Sequence, residues 1–163
     1  MGKGVAGNRG AFFLVQTKDP MMTTRSGSAK YEGLGKSGKG HVSTQSGVLS
    51  DSPYGFNTRF ENEPGTNPEE LIAAAHASCF TMALSFALAG KGYEAGTLET
   101  SAKVTLDKDG DGFKITKSAL TLNAKVDGIS KEEFEAIAAD AKANCPVSKV
   151  LNAEITLEHT LAA

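Results

Sequence analysis

Two cysteines are the residues of this sequence with the widest choice of chemistry. Cys79 lies inside a long apolar run, in the segment HASCF, and Cys145 lies directly before a proline, in NCPVS. A cysteine ahead of a proline-started helix is close to free backbone N–H groups, which favour the thiolate. Cys79 lacks that help, so it needs a nearby cation to react. The two thiols fit a reversible disulfide pair; the plain alternative is two buried, inert cysteines.

Arg59 is the candidate cation. It is the only arginine after the amino-terminal segment, and it lies between aromatic residues in FNTRF. An arginine in an apolar surround needs a carboxylate partner. Glu69 and Glu70 are available at the start of the next predicted helix, although both fit a simple helix-capping role. Composition and spacing therefore support a thiol-redox site as a hypothesis.

Other motifs predict no cofactor and no metal. Residues 33–38 (GLGKSG) match a dinucleotide-binding fingerprint, but a strand-like segment follows where the phosphate needs a helix, which favours a glycine-rich hairpin turn. Residues 107–112 copy the first half of a calcium loop, but Ser118 replaces the essential glutamate. The three histidines lie on different predicted elements and are expected in packing or surface roles: His41, His76 and His159.

Length and charge narrow the class of protein. The 163 residues, with 40% hydrophobic and 22% charged residues, are typical of one globular domain. Basic residues are concentrated before residue 42 and the rest is acidic, which argues against a nucleic-acid partner. The run over 71–88 is weak in leucine and isoleucine for a membrane span, and no export signal is evident. We therefore expect a cytoplasmic protein with no membrane association.

The first half of the chain predicts short strands and then one long helix. Residues 1–24 lack periodicity and are interpreted as an extension, or as an upstream start before Met21 or Met22. The segments AKYEGL, KGHVST and SGVL read as strands, and YGFNTRF as a further strand or an extended lead-in. TNPEE then starts a helix that runs to about Ala89. Since this helix is apolar on nearly all sides, we expect it to be central and buried.

The second half predicts a hairpin, a broken helix and a last strand. Residues 97–106 and 113–126 alternate polar and apolar side chains around a glycine-rich turn. Ser130 and Glu133 form a capping box before an amphipathic helix, which Cys145 should end because a proline follows it. A short helix (VSKVL) and a strand (EITLEHTL) complete the chain. The fold class is α+β, with antiparallel hairpins flanking a long buried helix.

At these residues the chain resembles the OsmC/Ohr family (osmotically inducible protein C and organic hydroperoxide resistance proteins), in its OsmC branch. The resemblance rests on GVLSDSPYGFNTRFENEPGTNPEELIAAAHASCFTMALS and NCPVSKVLNAEITLEHTL, and it covers essentially Thr24 to Leu161. It implies an OsmC-like domain over residues 25–163. It also implies an intertwined homodimer in which two sheets enclose the long central helices.

The resemblance implies a thiol peroxidase that reduces organic hydroperoxides, and hydrogen peroxide less readily, in stress defence. Matched by motif, Cys79 is the peroxidatic cysteine and Cys145 the resolving one. Arg59 and Glu69 match the pair that supports the thiolate. An external dithiol, lipoyl-based rather than thioredoxin, would reduce the disulfide. The alternatives are a non-enzymatic thiol redox sensor or binding module, and a structural domain with inert cysteines.

Helix geometry adds one expectation about the dimer. Glu69 and Cys79 are ten positions apart on one predicted helix, so their backbones should be about 15 Å apart along its axis. We therefore predict that Cys79 and Cys145 of one subunit work with Arg59 and Glu69 of its partner. The alternative is that Arg59 acts from its own chain and that Glu69 alone comes from the partner.

Overall fold

The computed structural model describes residues 22–162, and it contains two three-stranded sheets with helices between them in the chain. Most of the predicted extension, residues 1–21, lies outside the described residues, as does the possible start at Met21. The described part of the extension, residues 22–24, has no regular secondary structure, and the first strand begins at Gly27.

The first sheet is antiparallel, and its strands lie in chain order. Its members are β1 (Gly27–Glu32), β2 (Lys39–Thr44) and β3 (Ser52–Tyr54). The first two strands confirm the predictions for AKYEGL and KGHVST, and the glycine-rich segment between them is the hairpin connection, with a short 3-10 turn at Gly35–Ser37. Gly40 has to be glycine, because a Cβ atom there would lie 2.5 Å from the Tyr54 ring.

Two strand predictions near this sheet are wrong. SGVL forms a turn, in which Gly47 has a φ of 76° and the N–H of Thr44 donates to the Leu49 carbonyl. YGFNTRF is mainly a helix, α1 (Phe56–Phe60), rather than a strand. The Thr58 hydroxyl stabilises the start of α1, since it accepts from the Gly55 N–H at 2.8 Å and donates to the Thr66 carbonyl at 2.8 Å.

The long helix α2 (Pro68–Gly90) begins and ends as predicted. Asn67 caps it, with its side chain accepting from the Glu70 N–H at 2.8 Å. In the single chain, however, the helix buries one stripe rather than all sides; that stripe contains Glu69, His76, Phe80, Leu84 and Leu88. On the other side Met82 and Phe86 are 59% and 73% exposed. This helix is long and apolar enough to cross a membrane, but the core helices of soluble proteins meet the same criteria of length and composition.

The second sheet is mixed rather than antiparallel. Its strands are β4 (Gly96–Asp109), β5 (Gly112–Val126) and β6 (Glu154–Ala162). The β4–β5 hairpin is confirmed, with Asp109 paired to Gly112 around the calcium-like turn. β6 runs parallel to β5, from Lys117 opposite Glu154 to Lys125 opposite Ala162. A helical crossover joins these two strands, and such a connection returns the chain in the same direction, whereas a short turn would reverse it.

The crossover contains α3 (Lys131–Asn144) and α4 (Pro146–Val150), separated at Cys145 as predicted. The first half of the capping box is present, because the Ser130 hydroxyl accepts from the Glu133 N–H at 3.2 Å. The Glu133 carboxylate accepts instead from the Tyr93 hydroxyl, at 2.8 Å. Helices α2 and α3 and the second sheet enclose the core, whose largest fully buried apolar side chains are Phe80, Phe134, Leu84, Leu120 and Leu122.

Candidate functional site

Packing of α2 against α4 brings the two predicted cysteines together. Cys79 lies in the middle of α2, half-buried against the core, and Cys145 lies between α3 and α4, with no exposed surface. Both are free thiols, and they are close enough for each to shift the pKa of the other. This proximity is the first requirement of a reversible disulfide.

The two thiols differ in how readily they ionise. Burial raises the pKa of Cys79, and a hydrogen bond with Cys145 raises it further. Burial also acts to raise the pKa of Cys145, but the Ser148 backbone N–H, Cys79, the Ser148 hydroxyl and the Val147 N–H together bring it below its usual value. In the isolated chain the thiolate is therefore favoured at Cys145, and Cys79 needs a positive charge from elsewhere to become the nucleophile.

Arg59 and Glu69 form a two-pronged ion pair within one chain. The Arg59 Nε donates to Glu69 Oε2 at 3.0 Å, and Nη2 donates to Oε1 at 2.5 Å. The Glu69 side chain is 11% exposed and that of Arg59 is 32% exposed. Of the two candidate acids, Glu69 is thus the partner, while the Glu70 carboxylate accepts from the Thr66 hydroxyl. The paired geometry fixes the plane of the guanidinium.

The single chain holds these residues as two separate pairs. Glu69 is in the first turn of α2 and Cys79 is ten residues further along the same unbroken helix, about 15 Å away by helix rise. The described hydrogen bonds of the Arg59 guanidinium go to Glu69, and its central carbon lies 5.5 Å from the centroid of the Phe60 ring. The chain therefore joins Arg59 to Glu69 and Cys79 to Cys145 without uniting the four.

An apolar cavity of about 230 Å³ lies beside Arg59. Aromatic rings make up much of its wall, and the lining includes Tyr31, Tyr54, Phe56, Phe60 and Pro68. Phe56 and Phe60 contact each other one helical turn apart, with ring centroids 4.9 Å apart. The cavity thus combines a largely apolar wall with one charged lining residue, Arg59.

One residue of the thiol region was missed by the sequence interpretation. The sequence predicts a packing or surface role for His76; the residue is fully buried, and in addition both of its ring nitrogens bond to serine hydroxyls. Nδ1 lies 2.7 Å from Ser118 Oγ and Nε2 lies 2.9 Å from Ser148 Oγ. The spacing carried a signal: His76 is three residues before Cys79, and Ser148 is three residues after Cys145.

Within residues 22–162, no group of three or more histidine, cysteine, aspartate or glutamate side chains is arranged to hold a metal ion. The Cys79–Cys145 thiol pair and the Arg59–Glu69 ion pair are the candidate reactive groups that the sequence predicted, and His76 lies next to the first of them.

Comparison with known proteins identifies the family. The family model for OsmC-like protein matches residues 60–160. The chain belongs to the OsmC family. Peroxiredoxin OsmC of Escherichia coli (strain K12) is 56% identical over 141 residues, covering 86% of this chain and 99% of that protein. The organic hydroperoxide resistance protein OhrA of Bacillus subtilis is 39% identical over 59% of this chain and 68% of its own.

Solved structures agree on the fold. The crystal structure of the organic hydroperoxide resistance protein OhrB of Bacillus subtilis matches with a TM-score of 0.64 and 30% identity, covering 85% of this chain and 98% of that one. An organic hydroperoxide resistance protein OsmC from Legionella pneumophila matches with a TM-score of 0.63 and 26% identity, over 88% and 100% of the two chains. The predicted α+β, OsmC-like fold is confirmed.

Proposed function

We propose that this OsmC-family protein is a cysteine-based peroxidase that reduces organic hydroperoxides, and hydrogen peroxide less readily. The observation that carries the proposal is the adjacent Cys79–Cys145 thiol pair, in a chain 56% identical to a protein named peroxiredoxin OsmC. Relatives named organic hydroperoxide resistance proteins supply the substrate class. Adjacent free thiols, one of them on a core helix, suit oxidation followed by disulfide formation.

In this mechanism the Cys79 thiolate attacks the terminal oxygen of the hydroperoxide. The sulfur–oxygen bond forms as the oxygen–oxygen bond breaks, so that Cys79 becomes a sulfenic acid and the alkoxide takes a proton to leave as an alcohol. Cys145 then attacks the Cys79 sulfur, forming the disulfide and releasing water. An external dithiol reduces that disulfide and completes the cycle.

Arg59 and Glu69 act on the first step. The guanidinium favours the thiolate of Cys79 and donates to the developing charge on the leaving oxygen. Glu69 holds the guanidinium in plane and would raise the thiol pKa if it acted alone, so its benefit passes through Arg59. The apolar cavity beside Arg59 suits the organic group of the substrate, which hydrogen peroxide lacks.

We propose that the complete site forms in a homodimer, from the Cys79–Cys145 pair of one subunit and the Arg59–Glu69 pair of its partner. Three features support this arrangement. Within one chain the pKa of Cys79 is raised by burial, Arg59 is held near the far end of α2, and the α2 face containing Met82 and Phe86 is open. In addition, every residue of β1 is exposed, as is typical of a sheet that lacks its cover.

The remaining assignments concern the cell and the reductant. Free thiols suit a reducing compartment, so we assign the enzyme to the cytoplasm, in defence against oxidative and osmotic stress. A lipoyl-based dithiol is the proposed reductant. No cofactor enters the mechanism, because the two thiols supply both of the electrons that reduce the hydroperoxide when they become a disulfide.

The test is steady-state consumption of an alkyl hydroperoxide, with dihydrolipoamide compared with thioredoxin as the reductant. We expect sustained turnover with dihydrolipoamide, faster with the alkyl hydroperoxide than with hydrogen peroxide. One oxidation per chain, with no turnover under either reductant, would instead identify a redox sensor. Thiols that resist both peroxide and alkylation in the native protein would identify a structural domain.

A further inference from the structure

Among the described residues, the mechanism above leaves one buried titratable group without a role. His76 has no exposed surface, and burial lowers its pKa, so the ring is neutral at ordinary pH. A neutral imidazole has one N–H donor and one acceptor nitrogen. Its two partners, Ser118 on β5 and Ser148 on α4, come from different parts of the fold. The direction of its two hydrogen bonds is therefore a structural question with a chemical consequence.

Ser118 determines that direction. Its hydroxyl is fully buried, and the hydrogen bond that its side chain makes within the described residues is the one to His76 Nδ1. If Nδ1 carried the proton, the hydroxyl hydrogen of Ser118 would be buried without an acceptor, which costs about 1–3 kcal/mol. The favoured arrangement has Ser118 donating to Nδ1, so that the ring proton is on Nε2.

The proton on Nε2 then sets the role of Ser148. Because Nε2–H donates to Ser148 Oγ at 2.9 Å, the serine hydroxyl is free to donate its own hydrogen elsewhere. Ser148 lies one turn into α4 from Cys145, and its backbone N–H and its hydroxyl both act to lower the pKa of the Cys145 thiol. The hydrogen bonds of Ser118, His76 and Ser148 thus have one direction, and they leave the Ser148 hydroxyl available to donate toward Cys145.

We propose that His76 is a positioning residue, which keeps Ser148 as a hydrogen-bond donor to Cys145 and thereby speeds the formation of the Cys79–Cys145 disulfide. The inference rests on the proposed function, because it assigns Cys145 the resolving role. In that step the Cys145 thiolate attacks the sulfur of the Cys79 sulfenic acid. The sulfur–sulfur bond forms and the sulfur–oxygen bond breaks. The departing hydroxide takes up one proton and leaves as water, which balances the proton that the Cys145 thiol released when it ionised.

The expected effect is on the second step and not on the first. A donor lost from Cys145 raises its thiol pKa and reduces the thiolate fraction. The remaining thiolate becomes a better nucleophile, so one unit of pKa slows disulfide formation by roughly threefold rather than tenfold. The attack of Cys79 on peroxide should proceed at its usual rate, since His76 bonds to the two serines and not to Cys79.

Two substitutions of His76 separate positioning from packing. In His76→Gln the amide nitrogen reaches the place of Nε2 and can still donate to Ser148. In His76→Asn the amide ends near the place of Nδ1, so it can meet Ser118 but leaves Ser148 without its donor. Ser148→Ala and Ser148→Thr form a second pair, on a half-buried residue of a short helix, that does not depend on a substitution in the core.

The experiment measures two quantities for each variant. Single-turnover reactions with an alkyl hydroperoxide give the rate of disulfide formation, and a nucleophile that traps sulfenic acids gives the fraction of Cys79 left unresolved. The pKa of Cys145 is followed by thiolate absorbance in the Cys79→Ser background. We expect His76→Asn and Ser148→Ala to raise this pKa and to slow disulfide formation, by about threefold for each unit of that rise. His76→Gln and Ser148→Thr should stay near wild type.

Two results would overturn the inference. One is an unchanged Cys145 pKa and an unchanged rate of disulfide formation in Ser148→Ala and in a folded His76→Asn. The other is equal slowing in the Gln and Asn variants without a change of pKa, which would mean that His76 only packs. A Cys145→Ser control distinguishes a failure of the His76 inference from a failure of the proposed function. If that variant turns over normally, the resolving role of Cys145 is itself wrong.

Discussion

The thiol region and the Arg59 region are built in opposite ways. Cys79 and Cys145 are held by the core, where α2 packs against α4 and Phe80 and Phe134 are fully buried. Arg59 is held by a short helix and by local hydrogen bonds, and it is 32% exposed beside an open cavity. The comparison indicates that the proposed nucleophile depends on global packing, whereas the proposed activating cation depends on one local ion pair and on the cover that its surface receives.

Replacing one sulfur atom by oxygen in the thiol region should cause the largest loss of activity. Cys79→Ser removes the sulfur atom that is proposed to attack the peroxide, and we expect consumption of alkyl hydroperoxide to fall to background. Cys145→Ser should instead allow one oxidation and then accumulate sulfenic and sulfinic acid at Cys79. Mass spectrometry after one equivalent of peroxide distinguishes the two. Normal turnover by Cys145→Ser without over-oxidation would contradict the division of roles.

A packing change tests the dependence of the thiol region on the core. Phe80 follows Cys79 and has no exposed surface, so Phe80→Ala should lower the free energy of unfolding by about 3–5 kcal/mol in urea titrations. Phe86→Ala is the matched control, because Phe86 is on the same helix but 73% exposed. If that face meets a partner subunit, the effect of Phe86→Ala should grow as the protein concentration rises through the range in which the dimer forms, whereas the effect of Phe80→Ala is already present in the monomer.

The Arg59 region should be sensitive to geometry rather than to charge alone. Arg59→Lys keeps the cation but loses the planar fork that engages both oxygens of Glu69. Loss of a hydrogen bond made in the transition state costs about 2.7–4 kcal/mol, or two to three decades in rate. Arg59→Ala should in addition raise the pKa of Cys79, followed by thiolate absorbance. An unchanged rate and pKa in Arg59→Ala would remove Arg59 from the mechanism.

The elements of the fold differ in how well the sequence predicted them. Local signals were sufficient for the ends of α2, the β4–β5 hairpin and the break at Cys145, because capping residues, glycine turns and proline act within a few residues. They failed for α1, where the Thr58 hydroxyl bonds across a loop to Thr66. They also failed for the parallel pairing of β6, which follows from the path of a whole crossover.

The same distinction holds at the site. Composition and spacing predicted Cys79, Cys145 and Arg59 as chemical groups and left Glu69 and Glu70 as alternative partners of Arg59. The family resemblance selected Glu69, and in the structure Arg59 pairs with Glu69. The sequence predicted a packing or surface role for His76 and missed its hydrogen bonds, because they join residues 42 and 72 positions apart, from α2 to β5 and α4. Partners at such separations are fixed by tertiary packing, which no local pattern contains.

A final prediction asks whether the two regions meet across a dimer. Cys79→Ser keeps Arg59 and Glu69, and the Arg59→Ala, Glu69→Ala double variant keeps both cysteines; each should be nearly inactive by itself. In a mixed dimer with sites built across the interface, one site combines the intact thiols of one chain with the intact ion pair of the other. Activity should then return to as much as half of wild type per mixed dimer.

The arithmetic distinguishes the alternatives, because a site built within one chain has a defect in both subunits of that mixed dimer and regains nothing. Refolding the two variants together, with the mixed dimer quantified by native mass spectrometry, supplies the measurement. A dimer mixed from Cys79→Ser and wild type is the control, and it should retain about half activity under either arrangement. The absence of recovery in a confirmed mixed dimer would mean that Arg59 or Glu69 reaches Cys79 within its own chain, by a rearrangement of α1 or the start of α2.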